Sequence, residues 1–320
     1  MNVKYFMFAL LALMLTMACS GNKKTDANGA GGDSLATAKD SVQLYVEEED
    51  KTDYSKFVEK PVRVDTTVGD WEIHARQFYN GRKFTDGNDI YADYAVKFNI
   101  FKARKPVFKN YKVDSKALAG SGYMDGFSLS LAEYFEITPT TVYVGFGYCE
   151  PETDNCLEYI LALGGDGSVR KYEASLCSAD GDMDGYVSDV YWFFSLYVNE
   201  LSQASPNADA IKQVLNRYCT KAFAKQLQSQ KLKNNLLLAS PQFDYRWLRS
   251  LAVYSMDMQT QTCVVSYTKN DGTEVYRRLK MQLKPGHEYQ YYIAGVMDAD
   301  KSDVVGDEDE EETVEGFCSH

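Results

Sequence analysis

Two hydrophobic periods divide the chain. Over residues 61–174 apolar and polar positions alternate, the period of a half-buried β-strand. Trp71, Ile73 and Ala75 share one phase, and Tyr94, Val96, Phe98 and Ile100 share another. Residues 141–148 and 157–163 read as paired strands, in which Gly145 and Gly147 signal a bulge or close packing. Gly164-Gly165-Asp166-Gly167 is a turn from which residues 168–172 return as a further strand. A small antiparallel sheet or sandwich is predicted.

From residue 187 the period lengthens. Val187, Val190, Tyr191, Phe194, Tyr197, Val198 and Leu201 recur at the spacing of an amphipathic helix. Ser205 and Pro206 read as the N-cap and first turn of a second helix, whose apolar stripe is Ile211, Val214, Leu215, Tyr218, Ala222 and Phe223. Strands are then predicted over residues 246–258, 262–269, 274–283 and 288–296, with turns at Asn270-Asp271-Gly272 and Lys284-Pro285-Gly286. The class implied is α+β: an N-terminal, mainly antiparallel β domain over residues 61–178, and C-terminal helices packed on a curved antiparallel sheet over residues 179–297.

The ends are of different character. Residues 1–18 read as a signal peptide, with Lys4 in its basic region and an apolar run from Phe6 to Leu15. Thr16-Met17-Ala18-Cys19 resembles a bacterial lipobox, which makes Cys19 the site of lipid attachment, although Thr16 stands where an aliphatic residue is usual. Ser20 after the cysteine matches sorting to the outer membrane, and Gly21-Asn22-Lys23-Lys24 lacks the acidic cluster of surface-export signals. A periplasm-facing lipoprotein is expected. Residues 19–60, rich in Gly, Ala, Asp and Lys, read as a flexible tether, and residues 298–320 as an acidic disordered tail.

Composition narrows the function classes. Hydrophobic residues are 45% of the 320, enough for packed cores. A net charge of −12 speaks against a nucleic-acid partner, which needs a basic face against phosphate. Twenty-four tyrosines and sixteen phenylalanines suit a strand-rich extracytoplasmic protein.

A family resemblance lies in the helix-and-strand region. Residues 187–194 (Val-Ser-Asp-Val-Tyr-Trp-Phe-Phe), Asn216-Arg217-Tyr218-Cys219-Thr220, Phe243-Asp244-Tyr245 and Tyr292-Ile293-Ala294-Gly295-Val296 resemble domain of unknown function 3828, over about the last third of the chain. That resemblance implies a nuclear transport factor 2-like layout, a curved sheet wrapped on helices around a cone-shaped cavity. The Asp-Pro-Phe and Gln-Asp pieces of the family are replaced here by Asp244-Tyr245-Arg246-Trp247.

Candidate chemistry is sparse. Cys149 and Cys156 flank the turn Pro151-Glu152-Thr153-Asp154-Asn155 and form a predicted hairpin disulfide. Cys219 and Cys263 read as small core residues or a second bridge. Asp180, Asp182 and Asp184, with Gly185 in sixth place, match the first half of an EF-hand-type calcium loop. Tyr191 occupies the closing twelfth position, so a helix-capping acidic junction is the other reading. Calcium is the one cofactor the pattern offers. The three histidines are dispersed, and no nucleophile elbow or phosphate loop occurs. Arg277 shares a strand phase with Val275, Leu279 and Met281, which aims a guanidinium inward where it could hold a carboxylate. Arg277, Trp247 and Tyr218 are therefore the candidate ligand-binding residues. The function expected is a lipid-anchored envelope protein that binds a small ligand or a protein partner without catalysis. The alternatives are an envelope hydrolase using scattered carboxylates and an inhibitor or immunity-type protein.

Overall fold

Alternation in the N-terminal half builds two four-stranded antiparallel meanders. The computed structural model describes residues 62–86, 89–153, 155–174, 185–229, 235–240 and 243–304, with the side chains of residues 86, 132–134 and 174 left aside. The first sheet contains β1 (Arg63–Val68), β2 (Trp71–Asp86), β3 (Asp89–Lys102) and β4 (Lys105–Asp114), in that order. A bulge between Tyr79 and Lys83 bends β2, and Gly81 there takes a φ of 91°, a conformation glycine adopts without penalty. After a short helix, α1 (Ser115–Ala119), the second sheet contains β5 (Ser128–Ile137), β6 (Thr141–Cys149), β7 (Cys156–Gly164) and β8 (Val169–Ala174). The two sheets enclose one core. Trp71, Ile73, Phe98 and Ile100 of the first meet Val142, Val144, Phe146, Leu161 and Leu163 of the second.

The second sheet is buried on both faces. Tyr143, Ile160, Ala162 and Tyr172 point the other way, into a second core built around α2 (Gly185–Leu201). Of the 17 residues of α2, 14 are buried, so this helix is covered on all sides and is not the amphipathic helix its strongest stripe predicts. Trp192, Phe193 and Leu196, outside that stripe, face partners of their own. The helix is flanked by the second sheet and by a third sheet of order β12-β11-β10-β9. Its strands are β9 (Ala252–Val253), β10 (Thr262–Thr268), β11 (Glu274–Leu283) and β12 (Tyr291–Ala299). The class is α+β, and all described residues lie in one compact unit spanning residues 49–320.

Four local expectations are corrected. The second helix is two: α3 (Ala208–Tyr218) and α4 (Lys221–Ser229). Between them Cys219 is extended, with a ψ of 155°, and bridges to Ile293 of β12, while the Thr220 amide donates to the Ile293 carbonyl. The cap of α3 is Asn207, whose side chain accepts from the Asp209 and Ala210 amides, and not Ser205. The strand expected over residues 246–258 is a 3-10 helix, Tyr245–Ser250, followed by the two residues of β9. Asp244 caps that turn through the Arg246 amide, so adjacent Trp247 and Leu248 both turn inward, which a strand forbids. Finally, ordered backbone continues past residue 298, where the acidic tail was expected to begin. Asp300 and Asp303 form a capping box over Lys301–Asp303, and Asp303 pairs with Arg278 of β11.

Candidate functional site

The space between the helices and the third sheet is filled by side chains. Phe194, Val198, Leu238, Trp247, Leu248, Leu251 and Tyr267 close on a residual cavity of about 10 Å³, room for one water at most. Trp247 stacks on Tyr267 at 5.8 Å and an interplanar angle of 9°, and Tyr218 packs on Phe193 at 6.1 Å. Arg277 is buried, as its strand phase predicts. Its guanidinium pairs with Asp298, its register partner on β12, and donates to the Leu236 carbonyl. Arg277, Trp247 and Tyr218 thus do not line one open site. The first ties β11 to Asp298 of β12 and to the Leu236 backbone, and the other two are packing residues.

An open cleft lies elsewhere, between the second sheet and the first turns of α2. Its volume is about 390 Å³. Gly185, Ser188, Asp189 and Trp192 line it from one face of α2, at positions i, i+3, i+4 and i+7. Glu158 of β7 faces them, on the same phase as Ile160 and Ala162, and Tyr289 and Gln290 close the rim. Glycine opposes both Glu158 and Ile160 (Gly147 and Gly145), so β6 places no side chain beside these two on that face.

The two carboxyl groups of the cleft are in different states. Asp189 accepts from Lys284 Nζ at 3.0 Å and from the Tyr291 amide at 2.7 Å, which fastens α2 to the β11–β12 connection. Lys284 in turn lies over the rings of Tyr218 and Tyr292 at 5.7 and 5.4 Å. Glu158 has no such partner among the described residues, and burial alone raises its pKa above the usual glutamate value. The cleft therefore offers one uncommitted, partly desolvated carboxyl beside an indole and a phenol ring. Its sequence signal was the strand over residues 157–163, apolar on both phases. Such a strand is covered on both faces, which makes Glu158 an inward-facing acid.

Of the other predicted residues, Cys149 and Cys156 are disulfide-bonded and directly opposed in register. Cys219 and Cys263 are free and buried. Burial pushes the Cys219 thiol up and that of Cys263 to about 12, which leaves neither as a ready nucleophile. Cys19, Asp180, Asp182 and Asp184 lie outside the described residues. The second half of the expected calcium loop is already helix. Tyr191, in the twelfth position, donates to the Leu251 carbonyl, and a Cβ on Gly185 would collide with the Tyr289 carbonyl. Close packing thus explains this glycine without a metal. Among the described residues no cluster of three or more His, Cys, Asp or Glu could hold an ion.

Two buried acids went unnoticed in the sequence. Asp93 accepts from Ser115 Oγ at 2.5 Å, Asn80 Nδ2 at 2.8 Å, Arg82 Nη1 at 3.1 Å and the Leu129 amide at 3.2 Å, joining the two meanders. Glu200, fully buried, accepts from Thr138 Oγ1 at 2.8 Å, Thr140 Oγ1 at 2.5 Å and Tyr143 OH at 2.8 Å, joining α2 to the second sheet. Both are structural joints. No family model matches the chain, and no curated protein matches it.

Proposed function

We propose that this is a lipid-anchored envelope protein that binds a small cationic, partly apolar ligand in the cleft between β7 and α2. The observation that carries the reading is Glu158: a half-buried carboxyl with no partner among the described residues, facing a cleft whose other acid is already engaged. Desolvation disfavours its charge, and a ligand amine would restore it while its apolar body lies on Trp192 and Tyr289. Paired-carboxylate hydrolysis needs a second carboxyl free to act, and Asp189 is held by Lys284 and Tyr291. This favours binding over catalysis. The lipobox at residues 16–19 and the resemblance of residues 187–297 to domain of unknown function 3828 support an envelope location.

The anchor and the cleft are tested separately. Cys19→Ala is expected to move the protein from the membrane fraction to the soluble one, and an unchanged distribution would remove the anchor. For the cleft, thermal-shift titration with spermidine and tryptamine as probes is expected to raise Tm in the wild type but not in Glu158→Gln. Equal shifts in both proteins, or none in either, would overturn the binding reading.

A further inference from the structure

The outer face of the first sheet carries a row of four cations. Arg63 is paired with Arg76 across β1 and β2, Arg76 with Lys97 across β2 and β3, and Lys97 with Lys112 across β3 and β4. Directly paired residues project from the same face, and all four are exposed. At a strand spacing of about 4.8 Å the row spans roughly 15 Å. Among the described residues carboxylates pair with the row only at its ends, Asp65 with Arg63 at 2.5 Å and Asp114 with Lys112 at 3.3 Å, while Glu72 on the same face pairs with His74 at 2.9 Å. Lys97 lies over the Phe78 ring at 5.5 Å, and neither it nor Arg76 has a carboxylate partner among the described residues. Like charges set directly opposite one another destabilise a sheet, yet three successive pairs of this kind stand side by side. The surrounding stretch is segregated too, since residues 97–112 hold six Lys or Arg and no Asp or Glu in a chain of net charge −12.

We propose that this face docks on an anionic phospholipid surface. Charge complementarity selects the partner, because an acidic protein is repelled by such a surface everywhere except through a segregated basic patch. The form fits as well. A four-stranded sheet is a broad platform, and half-exposed Phe78 and Phe101 share the face with the cations, as aromatic rings do at headgroup level. The path of the chain agrees, for Arg63, first in the row, opens the described fold where the tether from Cys19 arrives. The orienting role rests on the lipid anchor proposed above, whereas the vesicle preference below can be read without it.

The test is co-sedimentation of the full chain with phosphatidylcholine vesicles, with and without phosphatidylglycerol. Because both vesicles meet the same N-terminal segment, the ratio of the two isolates the electrostatic contribution. The wild type is expected to prefer anionic vesicles, and the preference to fall with salt. A cation near such a surface is worth about fivefold in partitioning, so Arg76→Glu with Lys97→Glu is expected to reduce the preference by at least about twentyfold. Lys221→Glu with Lys225→Glu, exposed on α4, makes the same change in net charge and is expected to leave most of it. Equal binding to both vesicles, an equal loss in the control pair, or a preference that emerges only when the acids of residues 307–312 are neutralised would overturn the proposal. In the last case the chain's own acidic run competes for the face.

Discussion

Tyr143→Phe is the sharpest probe of how α2 is held. The hydroxyl of Tyr143 donates to Glu200 Oε1 at 2.8 Å and accepts from Asn199 Nδ2 at 2.7 Å, with both acceptor and donor buried. Asn199 continues the network, since its Oδ1 accepts from Arg170 Nη1 at 2.9 Å and Tyr172 OH at 2.5 Å. The substitution keeps the ring, so the apolar contribution hardly changes and the cost is polar. Losing two hydrogen bonds costs about 1 kcal/mol each, and stranding the buried Asn199 amide adds about 1 kcal/mol or more, roughly 3 kcal/mol in all. For a protein of this size that corresponds to a fall in Tm of about 5–10 °C. Urea unfolding followed by circular dichroism measures the free energy, and a cycle with Glu200→Gln measures the coupling. The double variant is expected to fall short of the summed single costs by about 1 kcal/mol, because both substitutions disable the same bond. A cost below about 0.5 kcal/mol for Tyr143→Phe, or strict additivity, would show that the network does not hold the helix.

Other expectations are simpler to check. His74 stands between Asp65 at 2.6 Å and Glu72 at 2.9 Å, and those hydrogen bonds, Asp65 first, raise its pKa above the ordinary 6.5. Its stabilising contribution is therefore complete below pH 6.5 and is lost as pH rises through the raised folded value; an NMR titration placing His74 at or below 6.5 would refute this. Gly185→Ala drives a methyl into the Tyr289 carbonyl and is expected to cost about 1–3 kcal/mol, read as a lower urea midpoint. Non-reducing peptide mapping is expected to find Cys149 linked to Cys156, with Cys219 and Cys263 alkylated only after denaturation. Asp93→Asn is expected to cost about 2 kcal/mol or more, because Ser115, Asn80, Arg82 and the Leu129 amide all donate to that carboxylate.

What the sequence disclosed depended on whether a pattern was periodic or assembled. The alternation of Tyr94, Val96, Phe98 and Ile100 located β3, and the tight turns at residues 270–272 and 284–286 bounded β11. The hairpin disulfide followed from local spacing. Failures came where one residue answers to two influences. Cys219 and Thr220 sit in a run with helical spacing, but the edge of β12 takes their backbone and splits the helix. Trp247 and Leu248 sit in a run that reads as strand, but Asp244 caps a 3-10 turn first. Arg277 was placed inward correctly, and its partner Asp298, assigned to the acidic tail, was beyond the reach of strand phase.

The same distinction bears on where function should be sought. Buried or half-buried acids recur at the joints of this fold: Asp93 between the meanders, Asp189 between α2 and the β11–β12 connection, Glu200 between α2 and the second sheet. Each is surrounded by donors, which is the condition for keeping an acid inside a protein at tolerable cost. Glu158 breaks the rule. Desolvation raises its pKa, no donor among the described residues answers it, and the space in front of it is open. An acid kept in that state lowers stability and does not join two elements. Its position is better explained by a donor that arrives from outside, and the cleft between β7 and α2 is where that donor would bind.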